Sequence, residues 1–337
     1  MIVTMVTKTG TMAGYSGALP TTEGRTGMKR IEYQQYGGPE VMRLEQFTPE
    51  APGKGEVAVR VRFAAINPID WKLRQGEMRI VTGKRFPRAM GMDLSGTVMS
   101  VGAGVTRFKV GDEVFGQARF KQCGALGQAT IASEGALALK PAKLGFDQAA
   151  CLGSPGITAW NALIDKAGLI AGQHVFINGC MGAVGEAAVQ IARKHGIRVS
   201  GTCGAADMAR AHALGVDNLL DYRQADLTQL RERYDAVFDT AASMDSGTGF
   251  GLLKPGGVLL DLHPTPGKFI KALFSRRLKM VVCTPRAALL DELARAAGDG
   301  SLRLTIAREV PLSEAIALIA AIEGGQRLRG KAVVRMG

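Results

Sequence analysis

The stretch 174-HVFINGCMGAVGEAAVQIARK-194 contains the pattern on which the fold prediction depends. Residues 175–177 form a short apolar run that suits a strand buried on both faces. Gly179, Gly182 and Gly185 follow at a constant spacing of three. One glycine permits a tight turn, a second lets backbone N–H groups approach a pyrophosphate, and a third allows a helix to pack closely on the sheet. The stretch therefore predicts a strand, a glycine turn and a helix with an anion at its N-terminus.

The segments that follow repeat this alternation of strand and helix. A helix-like segment at 206–214 lies between the first two of the later strand candidates. These strand candidates are 197–203, 218–222, 236–240, 257–262 and 280–283. Strands that alternate with helices predict a parallel, doubly wound sheet with its ligand at the carboxyl ends of the strands. A glycine turn can also join a strand to a helix without binding anything, and the alternation is what favours dinucleotide binding.

Length and charge limit the classes of protein that this chain can represent. The 337 residues suggest two domains, and no apolar run approaches the roughly 18 residues of a membrane span. The formal net charge of +12 at pH 7 suggests an anionic ligand, which could be a dinucleotide, a nucleic acid or a membrane surface. A basic surface that binds nothing is the alternative. The sequence shows no zinc finger, RNP-type aromatic strand or long basic run, which argues against a dedicated nucleic-acid-binding protein.

The cysteines indicate a reducing compartment. Their number is odd and their spacing is wide, and they stand at positions 123, 151, 180, 203 and 283. This pattern favours free thiols in a cytoplasmic protein over a disulfide framework.

The order of segments predicts the domain organisation. Residues 1–27 are rich in Thr, Gly and Ala without periodicity, and we interpret them as a disordered extension or as the product of an upstream start codon. Residues 28–153 form a strand-rich domain, with strand candidates at 56–65, 94–101 and 129–139. Residues 154–301 form the dinucleotide-binding domain, opened by a helix at 154–169. The tail 302–337 is predicted to contain strands at 306–310 and 332–334 and a helix at 312–322.

From residue 28 to the C-terminus the chain resembles the zinc-free quinone oxidoreductase and enone reductase branch of the medium-chain dehydrogenase/reductase superfamily. The segments that carry the resemblance are YGGPEVMRLE (36–45), INPIDWKLRQG (66–76), GMDLSGTVMSVGAGVTRFKVGDEVFG (91–116), SPGITAW (154–160), the glycine turn with VQIA (189–192), LDYR (220–223) and GKAVV (330–334). The resemblance implies an α/β fold in which a GroES-like, β-rich catalytic domain is completed by residues 302–337. A Rossmann domain, with its doubly wound parallel sheet, is inserted between the two parts.

Zinc is not expected, although other branches of this superfamily use it. Met92 and Asp93 stand where the zinc enzymes tend to have His and Glu, and none of the four histidines lies near Asn67 or Asp93 in the sequence. A catalytic zinc takes three protein ligands from Cys, His and Asp or Glu. Without zinc nothing obvious ionises an alcohol, so alcohol oxidation is disfavoured. The expected reaction is transfer of hydride to a quinone or an α,β-unsaturated ketone, which needs orientation and a donor to the developing oxyanion.

The resemblance assigns the predicted catalytic residues. In the family the segment that matches 67–72 lines the nicotinamide pocket, so Asn67 is expected to position groups there. Lys72 is expected to contact the carbonyl oxygen or the coenzyme, and its alternative is an ordinary surface lysine. Asp70 could serve only to cap a turn, and Trp71 could belong to the core or to the substrate wall. No metal ligand is predicted.

The coenzyme is predicted to be NADPH. NAD enzymes carry an acid about 20 residues after the glycine turn, whereas here residues 203–206 contain none. Asp207 is interpreted as stabilising the N-terminus of the next helix, and Arg210 is predicted to offer a cation to the phosphate. The predicted coenzyme-binding residues are Thr158, Gly179, Met181, Gly182, Ala183, Val184, Gly185, Thr202, Cys203, Gly204, Arg210, Tyr222 and Lys331. Cys180, at the predicted helix start, could have a lowered pKa or could be a small apolar filler.

Two alternatives remain open at this stage. The first is an alcohol dehydrogenase-type enzyme, and the second is a low-turnover protein that binds NADPH or RNA. A small-molecule quinone or enone is the expected partner, and the family suggests a homodimer.

Overall fold

The computed structural model describes residues 27–231, 233–262, 267, 268, 272 and 274–337. The predicted disordered extension at 1–27 therefore lies outside the described residues, apart from Gly27. Within the described part of the chain, no helix combines the length and hydropathy that a membrane span requires.

The strands and helices of the described residues follow one another in chain order. The strands are β1 (Met28–Tyr33), β2 (Met42–Phe47), β3 (Glu56–Ala65), β4 (Arg88–Ala89), β5 (Asp93–Val101), β6 (Glu113–Gln117), β7 (Ala129–Ser133), β8 (Leu137–Leu139), β9 (His174–Asn178), β10 (Arg198–Cys203), β11 (Asn218–Asp221), β12 (Tyr234–Asp239), β13 (Leu253–Asp261), β14 (Leu278–Met280), β15 (Ile306–Pro311) and β16 (Lys331–Arg335). The helices are α1 (Pro68–Gln75), α2 (Arg79–Thr82), α3 (Phe146–Ala150), α4 (Gly153–Trp160), α5 (Ala183–Lys194), α6 (Met208–Ala213), α7 (Ser246–Leu252), α8 (Ala287–Gly298) and α9 (Ala315–Glu323).

One sheet is parallel and has the order β11-β10-β9-β12-β13-β14. Its central strand β9 carries the apolar run Val175, Phe176 and Ile177, and all three side chains are fully buried, as a strand covered on both faces requires. Helix α5 packs on this sheet directly after the glycine turn. The predicted doubly wound parallel sheet is confirmed.

A second, mostly antiparallel sheet combines strands between residues 56 and 139 with the C-terminal strands, while β2, β1 and β4 form a separate three-stranded sheet. The order of the second sheet is β15-β16-β3-β5-β6-β8, and β7 also pairs with β3. Strand β16 pairs antiparallel with β3, with Val333 opposite Ala65. The C-terminal strands thus complete a sheet begun by residues 56–139, and the predicted α/β fold class is confirmed. The domain limits at 153/154 and 301/302 stay a prediction.

Two predicted elements are divided in the structure. The segment 129–139 forms β7 and β8 rather than one strand, because a single 3-10 turn at Glu134–Ala136 separates them. The segment 154–169 forms α4 followed by a π-helical turn at Asn161–Lys166. Apolar periodicity does not distinguish these tighter or wider turns from a continuous element.

A buried ion pair fixes helix α1 against the C-terminal helix α9. Arg74 is fully buried, and its Nη2 lies 2.6 Å from both carboxylate oxygens of Glu323. Arg74 also donates to the carbonyl oxygen of Gly37 at 3.3 Å. These contacts fix the orientation of the helix that carries the predicted catalytic residues.

Candidate active site

The glycine turn between β9 and α5 has the backbone geometry that its sequence predicts. Gly179 has φ +81°, which favours glycine, and Gly182 precedes the first residue of α5. A Cβ on Gly185 would lie 2.2 Å from the carbonyl oxygen of Gly179, so this position must stay a glycine for the helix to pack. A Cβ on Gly182 would meet only the Gly179 oxygen, at 3.5 Å. The start of α5, with Ala183 and Val184, therefore presents unpaired backbone N–H groups to open space.

Side chains on the neighbouring strands hold this turn in place. Thr202, on β10, accepts a hydrogen bond from the Gly179 N–H at 2.9 Å and donates to Asn178 Oδ1 at 2.6 Å. Thr240 donates to the carbonyl oxygen of Asn178 at 2.7 Å. The Cys180 N–H donates to the carbonyl oxygen of Thr202 at 2.9 Å. Thr202, predicted to bind the coenzyme, thus holds the turn to which the coenzyme is expected to bind.

Cys180 and Cys203 lie close enough beneath the turn for each thiol to affect the pKa of the other. Both side chains are buried, and burial raises the pKa of each thiol. The lowered pKa considered for Cys180 is therefore not found, because desolvation outweighs the favourable field of the helix N-terminus. Of the two interpretations, the small apolar filler fits the structure.

Arginines surround the end of β10, where the adenosine end of a dinucleotide would lie. A Cβ on Gly204 would be 3.4 Å from Arg223 Nη1 and 3.6 Å from the Tyr222 ring. The Arg223 guanidinium lies 4.7 Å from the centre of the Tyr222 ring, and Arg327 Nη1 donates to the Tyr222 hydroxyl at 3.1 Å. Arg329 donates to Asp207 Oδ1 at 3.2 Å and to the carbonyl oxygen of Ala206. We call Arg223, Arg327 and Arg329 the arginine cluster.

Sequence reasoning did not predict that these three arginines lie together. Arg327 and Arg329 precede β16 and lie more than 100 positions from Tyr222 along the chain. The available signal was the basic run 327–331, whose position depends on how the C-terminal strands pair.

The side chains of Arg210 and Asp207 make contacts that the sequence did not predict. Arg210 donates to the carbonyl oxygens of Arg329, at 3.1 Å, and Met181, at 3.5 Å, so it lies beside the glycine turn. Asp207 is the N-cap residue of α6, as the sequence predicts, but its side chain makes no capping hydrogen bond, so it acts on this N-terminus through its charge alone. Its carboxylate instead lies 3.2 Å from Arg329 and 3.5 Å from Arg210, because the tail brings a stronger cationic partner to it.

Asn67 is at the centre of a buried polar network. Its Nδ2 donates to the carbonyl oxygen of Ala65 at 3.0 Å and to Asp93 Oδ2 at 2.9 Å, and its Oδ1 accepts from Lys331 Nζ at 2.6 Å. Lys331 Nζ also donates to the carbonyl oxygen of Ile66 at 2.7 Å. Asn67, predicted to be a positioning residue, has both amide protons engaged within the protein. Lys331 was predicted to contact the coenzyme, and two of its three ammonium protons are used in this network.

Asp70 caps α1, which is one of the roles considered for it. Asp70 Oδ2 accepts from the Asn67 N–H at 2.8 Å in a reciprocal capping box, and no hydrogen bond from the described residues reaches its buried Oδ1. Burial raises the pKa of Asp70 to about 7, and the neighbouring Asp93 carboxylate adds to the increase. Burial also raises the pKa of Asp93, which outweighs the opposing effect of the Lys331 ammonium. Trp71 is partly buried and packs against the core of the antiparallel sheet.

Lys72 and Thr158 occupy different environments. Lys72 lies on α1 and is half-buried, and its ammonium forms no hydrogen bond or ion pair with the other described residues. Thr158 lies on α4 and is 7% exposed, near the thiol of Cys283. The unpartnered ammonium of Lys72 is available to a ligand.

Comparison with known proteins identifies both halves of the chain. The sequence models of the alcohol dehydrogenase GroES-like domain and the zinc-binding dehydrogenase domain match residues 53–171 and 214–334. The chain is 28% identical over 304 residues to the chloroplast envelope quinone oxidoreductase homolog of Arabidopsis thaliana, covering 86% of this chain and 92% of that relative. It is 33% identical over 246 residues to the chloroplastic NADPH-dependent alkenal/one oxidoreductase of Arabidopsis thaliana, covering 70% of this chain and 62% of the relative. The quinone oxidoreductase from Coxiella burnetii superposes with a TM-score of 0.83 at 30% identity, covering 92% of this chain and 99% of that chain.

The side chains around Asp93 do not fit a zinc ion. Asp93 Oδ1 accepts from Gln117 at 3.1 Å and from the Ser154 hydroxyl at 2.7 Å, while its Oδ2 accepts from Asn67 at 2.9 Å and from the Ser154 N–H at 2.7 Å. Burial raises the pKa of the neighbouring Cys151 thiol to about 12, which disfavours the thiolate that a metal requires. No group of three His, Cys, Asp or Glu side chains among the described residues is placed to hold a metal ion. The carboxylate is instead held by hydrogen-bond donors and faces the Lys331 ammonium.

Proposed function

Because the chain belongs to the quinone oxidoreductase branch of the medium-chain dehydrogenase/reductase superfamily, we propose that it transfers hydride from NADPH to a quinone or an α,β-unsaturated carbonyl compound without zinc. Membership of this family implies that the protein is an oxidoreductase that uses a nicotinamide coenzyme. The preference for NADPH, the class of acceptor and the independence from zinc are our proposal.

One observation carries the proposal for the acceptor. Asn67 is hydrogen-bonded to Ala65, Asp93 and Lys331, whereas the half-buried ammonium of Lys72 has no partner among the described residues. A developing oxyanion needs such a donor, held in place before the reaction begins. Asn67, Asp70 and the Arg74–Glu323 ion pair fix the helix that carries Lys72, so little reorganisation is needed.

The same chain offers a fitting site for the coenzyme. The open space at Gly182 and the N-terminus of α5 suit a pyrophosphate, and the arginine cluster beside Gly204 suits a 2′-phosphate. When bound, the coenzyme supplies the hydride. The protein orients the acceptor, stabilises the oxyanion through Lys72 and leaves protonation of the product to solvent.

The proposal is tested by following NADPH oxidation with a panel of quinones and enones. We expect turnover with at least one acceptor of either class. Oxidation of simple alcohols with no reduction of any quinone or enone would contradict it.

We expect activity to survive exhaustive chelation. The reason is that the carboxylate of Asp93 is fully engaged by hydrogen-bond donors and the Cys151 thiol stays protonated. Metal analysis of the purified protein before and after dialysis against a chelator checks this. One tightly bound zinc ion per chain, with loss of activity on its removal, would contradict zinc independence.

We expect NADPH to be preferred over NADH by at least about tenfold in kcat/KM, or roughly 1.4 kcal/mol, which is modest for one charge-assisted phosphate contact. Cys203→Asp places a carboxylate beside the arginine cluster and should erode this preference by repelling the phosphate. Cys203→Asn is the matched control, since it has the same shape without the charge. Equal use of both coenzymes by the wild type, or equal preferences in the Asp and Asn variants, would show that the phosphate is not recognised here.

A further inference from the structure

A basic cleft of about 1020 Å³ lies on the catalytic domain, with no residue of the glycine turn or the arginine cluster among those that line it. Six cationic side chains and a single carboxylate, Glu50, line it. The cationic side chains are those of Arg30, Lys84, Arg85, Arg88, Arg119 and Lys121. Its charge is therefore suited to an anionic partner.

Half of these cations are already neutralised or held by the protein. Arg30 pairs with Glu32 at 2.7 Å, and Arg119 pairs with Glu56 at 3.1 Å. The buried Arg88 donates to the carbonyl oxygens of Thr82 at 2.8 Å and Lys121 at 2.6 Å.

The other three cations, Lys84, Arg85 and Lys121, are exposed. None of them has a carboxylate within ion-pair distance in the described part of the chain. Because Arg88 bonds to both segments that carry them, these free charges are held on one face.

Two aliphatic side chains project from the same face. Ile80 is 97% exposed and Val81 is 51% exposed, and both line the cleft. Their segment is braced from below, because the Tyr36 hydroxyl bonds to Thr82 Oγ1 at 3.2 Å and to the carbonyl oxygen of Gly83. The ring of Tyr36 also packs edge-on against Phe86, with centroids 5.1 Å apart. A rigid support thus holds apolar side chains in water, beside unpaired cations.

We propose that Ile80, Val81, Lys84, Arg85 and Lys121 form a docking surface for an anionic phospholipid bilayer. Cations next to protruding aliphatic side chains are the combination that binds at such an interface, where the charges meet the head groups and the side chains enter the acyl boundary. Nucleic acid would satisfy the charges, but its backbone offers no apolar region for Ile80. The aromatic side chain that lines the cleft, Phe47, already has the Arg30 guanidinium 4.7 Å from the centre of its ring.

The docking surface adjoins the candidate active site. Helix α1, with Lys72, ends at Gln75, and α2, which carries Ile80 and Val81, begins four residues later. Cys123 lines the cleft, and its Sγ lies 3.7 Å from the Sδ of Met92, which precedes Asp93. On the basis of the proposed function, the acceptor is a lipophilic quinone carried by the bilayer.

Vesicle co-sedimentation of the full chain tests the docking surface. We expect at least about tenfold stronger binding to vesicles of phosphatidylcholine with phosphatidylglycerol than to phosphatidylcholine alone, weakening as salt is added. Ile80→Ser with Val81→Ser, and separately Lys84→Glu with Arg85→Glu, should each reduce binding about tenfold. Ile170→Ser, at an aliphatic side chain that is 67% exposed, and Lys54→Glu with Lys143→Glu are the matched controls and should bind as the wild type does. Equal binding to both kinds of vesicle, or unchanged binding in both double variants of the docking surface, overturns the proposal. The proposal is also overturned if the wild type binds a single-stranded RNA but no vesicles, and the docking-surface variants lose this RNA binding.

A kinetic comparison separates this proposal from the proposed function. The docking-surface variants should reduce a water-soluble short-chain quinone at the wild-type rate. With an isoprenoid quinone carried in anionic vesicles, their rate should be about tenfold lower than that of the wild type. Reduction of the soluble quinone without any vesicle binding overturns the docking surface and leaves the proposed function intact. If the docking-surface variants lose vesicle binding but the wild type reduces no quinone or enone, the docking surface is supported, while the proposed function and the quinone acceptor are contradicted.

Discussion

Lys72→Ala should lower kcat/KM for the acceptor about 100-fold, the cost of removing one preorganised donor to an oxyanion. The change should leave the free energy of unfolding within about 0.5 kcal/mol of the wild type, because the ammonium has no partner among the described residues and the helix is fixed by other groups. Steady-state kinetics with one good acceptor, together with urea unfolding of the same preparations, gives both quantities.

Lys54→Ala is the control for loss of one positive charge, since Lys54 is exposed and lies outside the candidate active site. It should have wild-type kinetics. If Lys72→Ala has them as well, Lys72 is an ordinary surface lysine and the oxyanion must be stabilised elsewhere. A large loss of stability in Lys72→Ala would mean that the kinetic effect has a structural cause.

Asp70→Asn should remove a pH-dependent loss of stability from the wild-type protein. Burial raises the pKa of Asp70 from 3.8 to about 7, so the folded state binds more protons than the unfolded state between these values. The folded state therefore loses stability as the pH rises through this window. Through this group alone the wild type should lose about 2–3 kcal/mol between pH 5 and pH 8. The amide of the variant still offers an oxygen to the Asn67 N–H and cannot ionise.

Urea unfolding of both proteins at pH 5 and pH 8 measures the difference in slope. Asp93, whose pKa is also raised, remains in both proteins, so the difference in slope reports Asp70 together with its coupling to Asp93. Parallel stability profiles would show that Asp70 is ionised at neutral pH in the fold, with its charge compensated by Lys331 and the helix N-terminus.

The effects of Lys72 and Asp70 have different physical origins although both residues lie on α1. We expect Lys72 to act by donating a hydrogen bond to a ligand, whereas the effect of Asp70 is expected to come from the burial of its carboxyl group. The sequence indicated that both residues belong to the segment 67–72, which is expected to line the nicotinamide pocket. It left the role of Asp70 open, because burial and the proximity of Asp93 depend on how α1 packs against the sheet.

The sequence by itself determined the local elements of the dinucleotide-binding half. Strand β9, the turn at Gly179 and helix α5 agree with the apolar run and the glycine spacing, because both features act over a few residues. The positive φ of Gly179 and the close approach at Gly185 are requirements that only glycine meets. The residue types at positions 92 and 93 also indicated a site without the usual zinc ligands.

Tertiary structure alone decided which distant side chains meet. Lys331 reaches Asn67 across 264 positions of sequence because β16 pairs with β3, and the same pairing brings the preceding Arg327 and Arg329 to the end of β10. It also directed the Asp207 carboxylate toward Arg329 instead of into a capping hydrogen bond, and it buried Cys180 so that its thiol stays protonated. Periodicity records which face of an element is apolar, but the register between strands far apart in the chain depends on the packing of the whole sheet.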